Sequence, residues 1–127
     1  MSQQGLQVNG GYTLQYRGVN LNSASTDTPV HVPFAKYIVR RMTLTNVSTS
    51  LAASSATIGA YTAAAAGGTA IVTPATATGL TAASKFNDRT IAVSADSLTG
   101  DTIYIRVGVA NGAPATCDVY LELQSLE

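Results

Sequence analysis

The sequence predicts an all-β fold: a jelly-roll-like β-sandwich of about eight short antiparallel strands. Three observations predict it. Two segments near the C-terminus alternate apolar and polar residues with period two. Turn-forming residues recur between apolar runs every ~8–15 residues, the spacing of sandwiches and barrels. No window of 11 or more residues carries a helical period.

The elements follow in order. Residues 1–11 read as an extended N-terminal arm, and residues 12–17 as the first strand of the sandwich. The segment Pro29-Val-His-Val-Pro33 has a proline at each end. Proline cannot donate to a ladder, so this is an edge strand or a short connector. Residues 37–47, 56–61, 69–72 and 89–93 are further strand candidates. Four consecutive alanines at 63–66 favour helix, but the run is too short to sustain one and Gly67-Gly68 ends it. Residues 94–101 read as a loop.

The clearest signals come last. Ile103, Ile105, Val107 and Val109 share one face of a strand, as do Cys117, Val119, Leu121 and Leu123. Asn111-Gly112 between them is a turn signal, so the two segments are expected to pair as a hairpin. Centring it on Ala113 places Arg106 near Tyr120 and Tyr104 near Glu122. An eight-stranded double sheet is a jelly roll. The alternative is an immunoglobulin-like sandwich, whose antibody-type Trp and Cys pair are missing here.

The 127 residues suit one domain, residues 1–127, able to bury a core without staples. A lone cysteine, Cys117, excludes an internal disulfide framework. No sustained apolar run of ~20 residues suggests a transmembrane helix. The first residues lack a basic start and an apolar signal core, so synthesis in the cytoplasm is expected.

Charge is the most informative bulk property. Only 11% of residues are charged, and seven basic residues balance seven acidic ones. A usual share is ~25%. The balance excludes the basic surplus that nucleic acid demands and suits a subunit covered in an assembly. Met42 to Ser84 contains no charged residue at all, a run of 43 built mainly from Ala, Thr, Ser and Gly. Such a run could be a linker or a loop-rich stretch. We read it as short strands whose small neutral outer faces meet another subunit.

Chemistry-bearing patterns are sparse. His31 is the single histidine, with no carboxylate near it in sequence, and reads as a surface or turn residue. Cys117 reads as a buried core residue rather than a nucleophile. Asp96 and Asp101 share a loop with Ser97, Thr99 and Gly100, a set that could hold Ca²⁺ weakly but matches no calcium loop. Asn46-Val-Ser48 fits the glycosylation triplet. Arg40-Arg41 would point to opposite faces of a strand, placing one near the core or an interface, where it needs a partner. No catalytic, cofactor-binding or metal site emerges.

Several strings, taken in order, resemble a known family. They are Lys36-Tyr-Ile-Val-Arg-Arg-Met-Thr-Leu-Thr-Asn46, Ile58-Gly-Ala-Tyr-Thr62, Gly67-Gly-Thr-Ala-Ile-Val72 and Ala115-Thr-Cys-Asp-Val-Tyr120. Together they look like the jelly-roll capsid cement or decoration proteins of tailed bacteriophages and prophages, from about residue 12 to 123. The resemblance implies a non-enzymatic virion protein on the outside of an icosahedral head, bridging major capsid subunits. Its expected partners are the major capsid protein and copies of itself, as dimer or trimer, with no nucleic acid, membrane or cofactor. A tail or fibre adhesion module is the alternative. A cupin-type enzyme would need a cluster of histidines.

Overall fold

The computed structural model describes residues 3–8, 11–93 and 96–126. Among the described residues the chain forms ten strands and no helix. They are β1 (Gln3–Val8), β2 (Gly11–Asn20), β3 (Thr26–His31), β4 (Lys36–Thr45), β5 (Thr57–Ala63), β6 (Gly67–Thr76), β7 (Phe86–Asp88), β8 (Leu98–Thr99), β9 (Thr102–Val107) and β10 (Thr116–Ser125).

One sheet has the order β1-β2-β10-β4-β7, with β8 also beside β4; the other has the order β3-β9-β5-β6. Every pairing is antiparallel. Setting aside β1 and β8, the pairs β5·β6, β4·β7, β3·β9 and β2·β10 nest one inside the next, like a long hairpin ribbon. Rolling that ribbon brings β10 against β4 and β9 against β5. The result is a jelly roll, the fold class expected from the alternating pattern. The expected arm, residues 1–11, contributes β1, which lies along β2 from Gln3 opposite Tyr16 to Val8 opposite Gly11; residues 1, 2, 9 and 10 lie outside the described set.

The core lies between the sheets. Leu14, Met42, Leu44, Val119 and Leu121 from one sheet meet Val30, Ile58, Ile71, Ile103 and Ile105 from the other, all buried. Burying an aliphatic side chain of this size contributes ~1.5–3 kcal/mol. Tyr12 and Phe34 close one end of the layer edge-to-face, with ring centroids 5.3 Å apart.

The expected hairpin of residues 103–109 with 117–123 does not form. β9 pairs with β3 and β5, whereas β10 pairs with β2 and β4 in the opposite sheet. The apolar faces are as expected from Ile103 to Val107 and from Cys117 to Leu123, with Ile105, Val107, Val119 and Leu121 buried. Val109, expected on the same face, lies beyond the end of β9 and is 47% exposed, and Asp118, expected on the outward face, is buried. The two apolar faces oppose each other across the sandwich instead of lying side by side. Period two says which side of a strand is inward and is silent on its neighbour. Arg106 therefore meets Asp27 at 3.2 Å, and Tyr104 stands opposite Pro29 and Tyr61.

Other expectations shift too. The Pro-bounded strand is indeed an edge, β3. The candidate at 89–93 is replaced by β7, three residues earlier, and only an isolated bridge joins Ile91 to Val72. The 94–101 loop contains the two-residue β8; Ser94 and Ala95 lie outside the described residues. The tetra-alanine makes the β5–β6 turn, with Ala65 at φ 58° and Ala66 at φ 59°. Arg40 and Arg41 do not split between faces: both are exposed. The register slips there, Glu122 opposing Arg41 and Leu123 opposing Val39, so Arg40 is the extra residue of a bulge. Arg40 Nε donates to Gln124 Oε1 at 3.2 Å, and Arg41 Nε lies 3.4 Å from Glu122 Oε2.

Candidate functional site

Rolling the ribbon gathers four connections at one end of the sandwich. They are residues 21–25, 46–56, 77–85 and 108–115. Lys85 is the only charged residue in them, and it sits where the chain enters β7. The uncharged run supplies the second connection and nearly all of the third. The first and last are neutral independently, a fact invisible until the fold brings them together.

This end is built rather than loose. Each connection sinks an apolar or small plug into the core: Leu21, Leu51, Leu80 and Ala115 are buried. Neutral hydrogen bonds lace them together. Asn111 N donates to Leu21 O at 2.8 Å, and Ser54 Oγ donates to Asn111 Oδ1 at 2.6 Å. Gly112 N donates to Asn22 Oδ1 at 2.8 Å, and Leu51 N to Leu80 O at 2.8 Å. Above this lacing the surface presents Ser, Thr and Ala, with the aliphatic Val109 47% exposed. Such a surface sheds water at little cost, because no ion must be desolvated and repaired. Interface centres are depleted in charge for the same reason.

Charged side chains occupy other places. Arg41, Glu122 and Asp88 stand exposed on the sheet that holds β10, and Asp27 and Arg106 form a half-buried pair on the other. Asp27 Oδ2 also accepts the Ala65 amide at 2.9 Å, tying β3 to the β5–β6 turn.

Among the described residues two charged side chains are buried. Asp118 Oδ1 accepts the Gly18 amide and Oδ2 accepts Asn46 Nδ2, each at 3.0 Å. Asn46 thus holds a structural place, in the left-handed region at φ 52°. Arg89 follows β7 in one sheet, and its guanidinium reaches the other. It donates to Ile58 O at 3.3 Å, Thr76 O at 3.2 Å, Asn87 Oδ1 at 2.9 Å and Ala75 O. Its Nε has no hydrogen-bond partner among the described residues. Burial pulls the Arg89 pKa down, and the nearby Cys117 thiolate would oppose that. Arg89 clamps the two sheets together where β5 and β6 slip register. Sequence reasoning missed this role; the sole hint was an arginine heading the apolar string 89–93.

The remaining candidates are dispersed. His31 is exposed at the end of β3, opposite Thr102. Cys117 is fully buried, and burial pushes its thiol up to about 12, with Asp118 adding to the effect and Arg89 opposing it. Asp96 and Asp101 are exposed; Asp101 accepts Val32 N through its carbonyl at 2.7 Å and Thr102 Oγ1 through its carboxylate at 3.0 Å. Among the described residues, no three His, Cys, Asp or Glu side chains lie close enough to share a metal. No helix among them is long and apolar enough to cross a membrane.

A depression of about 280 Å³ opens between β2 and β3, lined by Tyr16, Asn20, Thr26, Asp27 and Pro29 among others. It is smaller than ordinary ligand pockets. Its carboxylate, Asp27, is already engaged by Arg106 and Ala65.

A scan against protein-family models and searches of curated proteins and of solved structures each found no match.

Proposed function

We propose that this chain is a virion structural protein that binds the outside of an icosahedral phage head and bridges major capsid subunits. The observation that carries the reading is the neutral loop end. Four connections from distant parts of the chain converge there, with one charge among them at the margin. A surface of that kind facing water would offer nothing against association, whereas covered by a capsid subunit it costs little to dehydrate. The jelly-roll class and the order of sequence strings that resembles cement proteins support the same reading.

The mechanism is thermodynamic. A protein that binds the assembled shell and not its free subunits stabilises the shell by mass action. Many symmetric copies add avidity even when each contact is modest. No proton transfer, nucleophile or metal is required.

A second reading, a tail or fibre adhesion module, draws on the outer face of the β3-β9-β5-β6 sheet. There Tyr104 and Tyr61 are cross-strand neighbours, with Pro29 beside Tyr104. Aromatic rows of this type suit sugar rings. The test is to purify particles from the culture that produces the protein, count its copies by quantitative mass spectrometry and image them in negative stain. Hundreds of copies as a lattice over the head support the cement reading. Density confined to the tail supports the second, and absence from particles overturns both.

A further inference from the structure

We propose that two copies of this chain pair through β1, edge to edge and antiparallel about a two-fold axis, joining their larger sheets into one. This deepens the reading of the chain as an assembly subunit, and it rests on that reading only for its purpose on a shell.

The argument compares the sheet edges. An unprotected edge strand is a template for pairing, and proteins blunt edges with proline, charge, brevity or a covering segment. Among the described residues the two sheets have four edges, and three are blunted. β3 carries Pro29 and the ion-paired Asp27. β6 contains Pro74 and is covered midway by the segment after β7: Thr73 N donates to Thr90 O at 3.1 Å and Ala92 N to Ile71 O at 2.8 Å. On the far side of β4, β7 has three residues and ends on Asp88, and β8 has two.

β1 has none of these devices. It is six residues long, Gln-Gln-Gly-Leu-Gln-Val, with no proline and no charge. The first charged residue of the chain is Arg17. Among the described residues β1 pairs only with β2, leaving its outer edge without a ladder. It is also an addition to the roll, which closes through β2 and β10 without it. A strand that the fold does not need, with the one unguarded edge, fits an intermolecular role.

The occupant is a second copy, because antiparallel pairing of a strand with itself is isologous and closes as a dimer. A neutral strand in a chain of zero net charge meets no repulsion in that arrangement. Six residues of ladder make a weak dimer in solution; on a shell, a high effective concentration would fill it.

The test is sedimentation equilibrium of the full chain from ~10 μM to ~1 mM, with Gln3→Lys/Gln7→Lys and Leu6→Pro as variants. Wild type should associate reversibly to a dimer. The lysine pair puts four like charges together at the two-fold and should raise the dimer Kd at least tenfold. The proline variant should do likewise, with the circular-dichroism spectrum and melting of the roll retained. A wild type that stays monomeric or forms trimers overturns the proposal, as does dimerisation unaffected by both variants. A dimer that fails to bind particles overturns the cement reading and leaves this one standing; particle binding by a monomeric wild type does the reverse.

Discussion

The carboxylate of Asp118 holds the backbone amide of Gly18 at 3.0 Å across the one place where β2 and β10 fall out of register. Cys117 opposes Val19 and Val119 opposes Tyr16, so Arg17 and Gly18 together face Asp118. Gly18 takes φ 77° there, which a β-carbon would strain. The second carboxylate oxygen holds Asn46 at 3.0 Å, linking the bulge to the start of the neutral loop end. Asp118→Ala strands two donors at a buried position and should cost about 2–4 kcal/mol. Urea unfolding measures it; a loss under ~1 kcal/mol would mean that water replaces the carboxylate freely.

Arg89 should be the costliest polar residue to remove. Arg89→Ala leaves a void and unpairs carbonyls on β5 and β6, for an expected loss of about 2–4 kcal/mol. Arg89→Met keeps the volume and removes a cation that burial disfavours, so it should lose less. If both variants unfold at the wild-type urea midpoint, the clamp between the sheets contributes nothing.

The β5–β6 turn holds two alanines in left-handed conformation, at ~1–2 kcal/mol of steric cost each. A glycine there relieves that cost but gains ~0.4–1 kcal/mol of freedom in the unfolded chain. The first effect is larger, so Ala65→Gly and Ala66→Gly should each raise stability by about 0.5 kcal/mol. Differential scanning calorimetry should show a higher Tm for each, and a lower one would contradict the turn geometry.

Alkaline pH should destabilise the fold through two buried groups, Cys117 and Tyr37. Burial pushes the Cys117 thiol from 9.0 to about 12 and the Tyr37 phenol from 10.0 to about 12. Each group therefore ionises first in the unfolded chain, which binds fewer protons than the folded one in that window. Stability is full below pH ~9 and falls as pH rises towards 12, by up to ~1.4 kcal/mol per unit per group. Cys117→Ala with Tyr37→Phe should flatten the profile. Tyr37→Phe also removes a buried hydroxyl with no partner among the described residues, so it should be neutral or slightly stabilising at pH 7.

A lysine at Val109 tests the neutral end directly. Val109 is 47% exposed, so Val109→Lys should change stability by less than ~0.5 kcal/mol. At a contact surface it should weaken binding to purified heads at least tenfold. Equal binding by Val109→Lys and Ser50→Lys, with loss on replacing Arg17, Arg40 or Arg41, would place the contact on the charged surface instead.

By itself the sequence determined the class of the fold and the inward face of most strands. Alternation at Ile103 to Val107 and at Cys117 to Leu123 names the buried residues, because a side chain's facing is a local property of an extended backbone. Pro29 likewise announces an edge, because a missing amide is local. Which strands lie side by side was decided only by the tertiary structure. β9 and β10 satisfy their apolar faces equally well as a hairpin or across a sandwich, and the choice depends on how the rolled ribbon closes around both. The same closure brings Arg89 under the carbonyls of the opposite sheet. It also joins four nearly neutral connections, of which the 43-residue uncharged run supplies only the second and most of the third. Composition can show that charge is missing from a stretch of chain; only the fold shows that the missing charges leave one continuous surface.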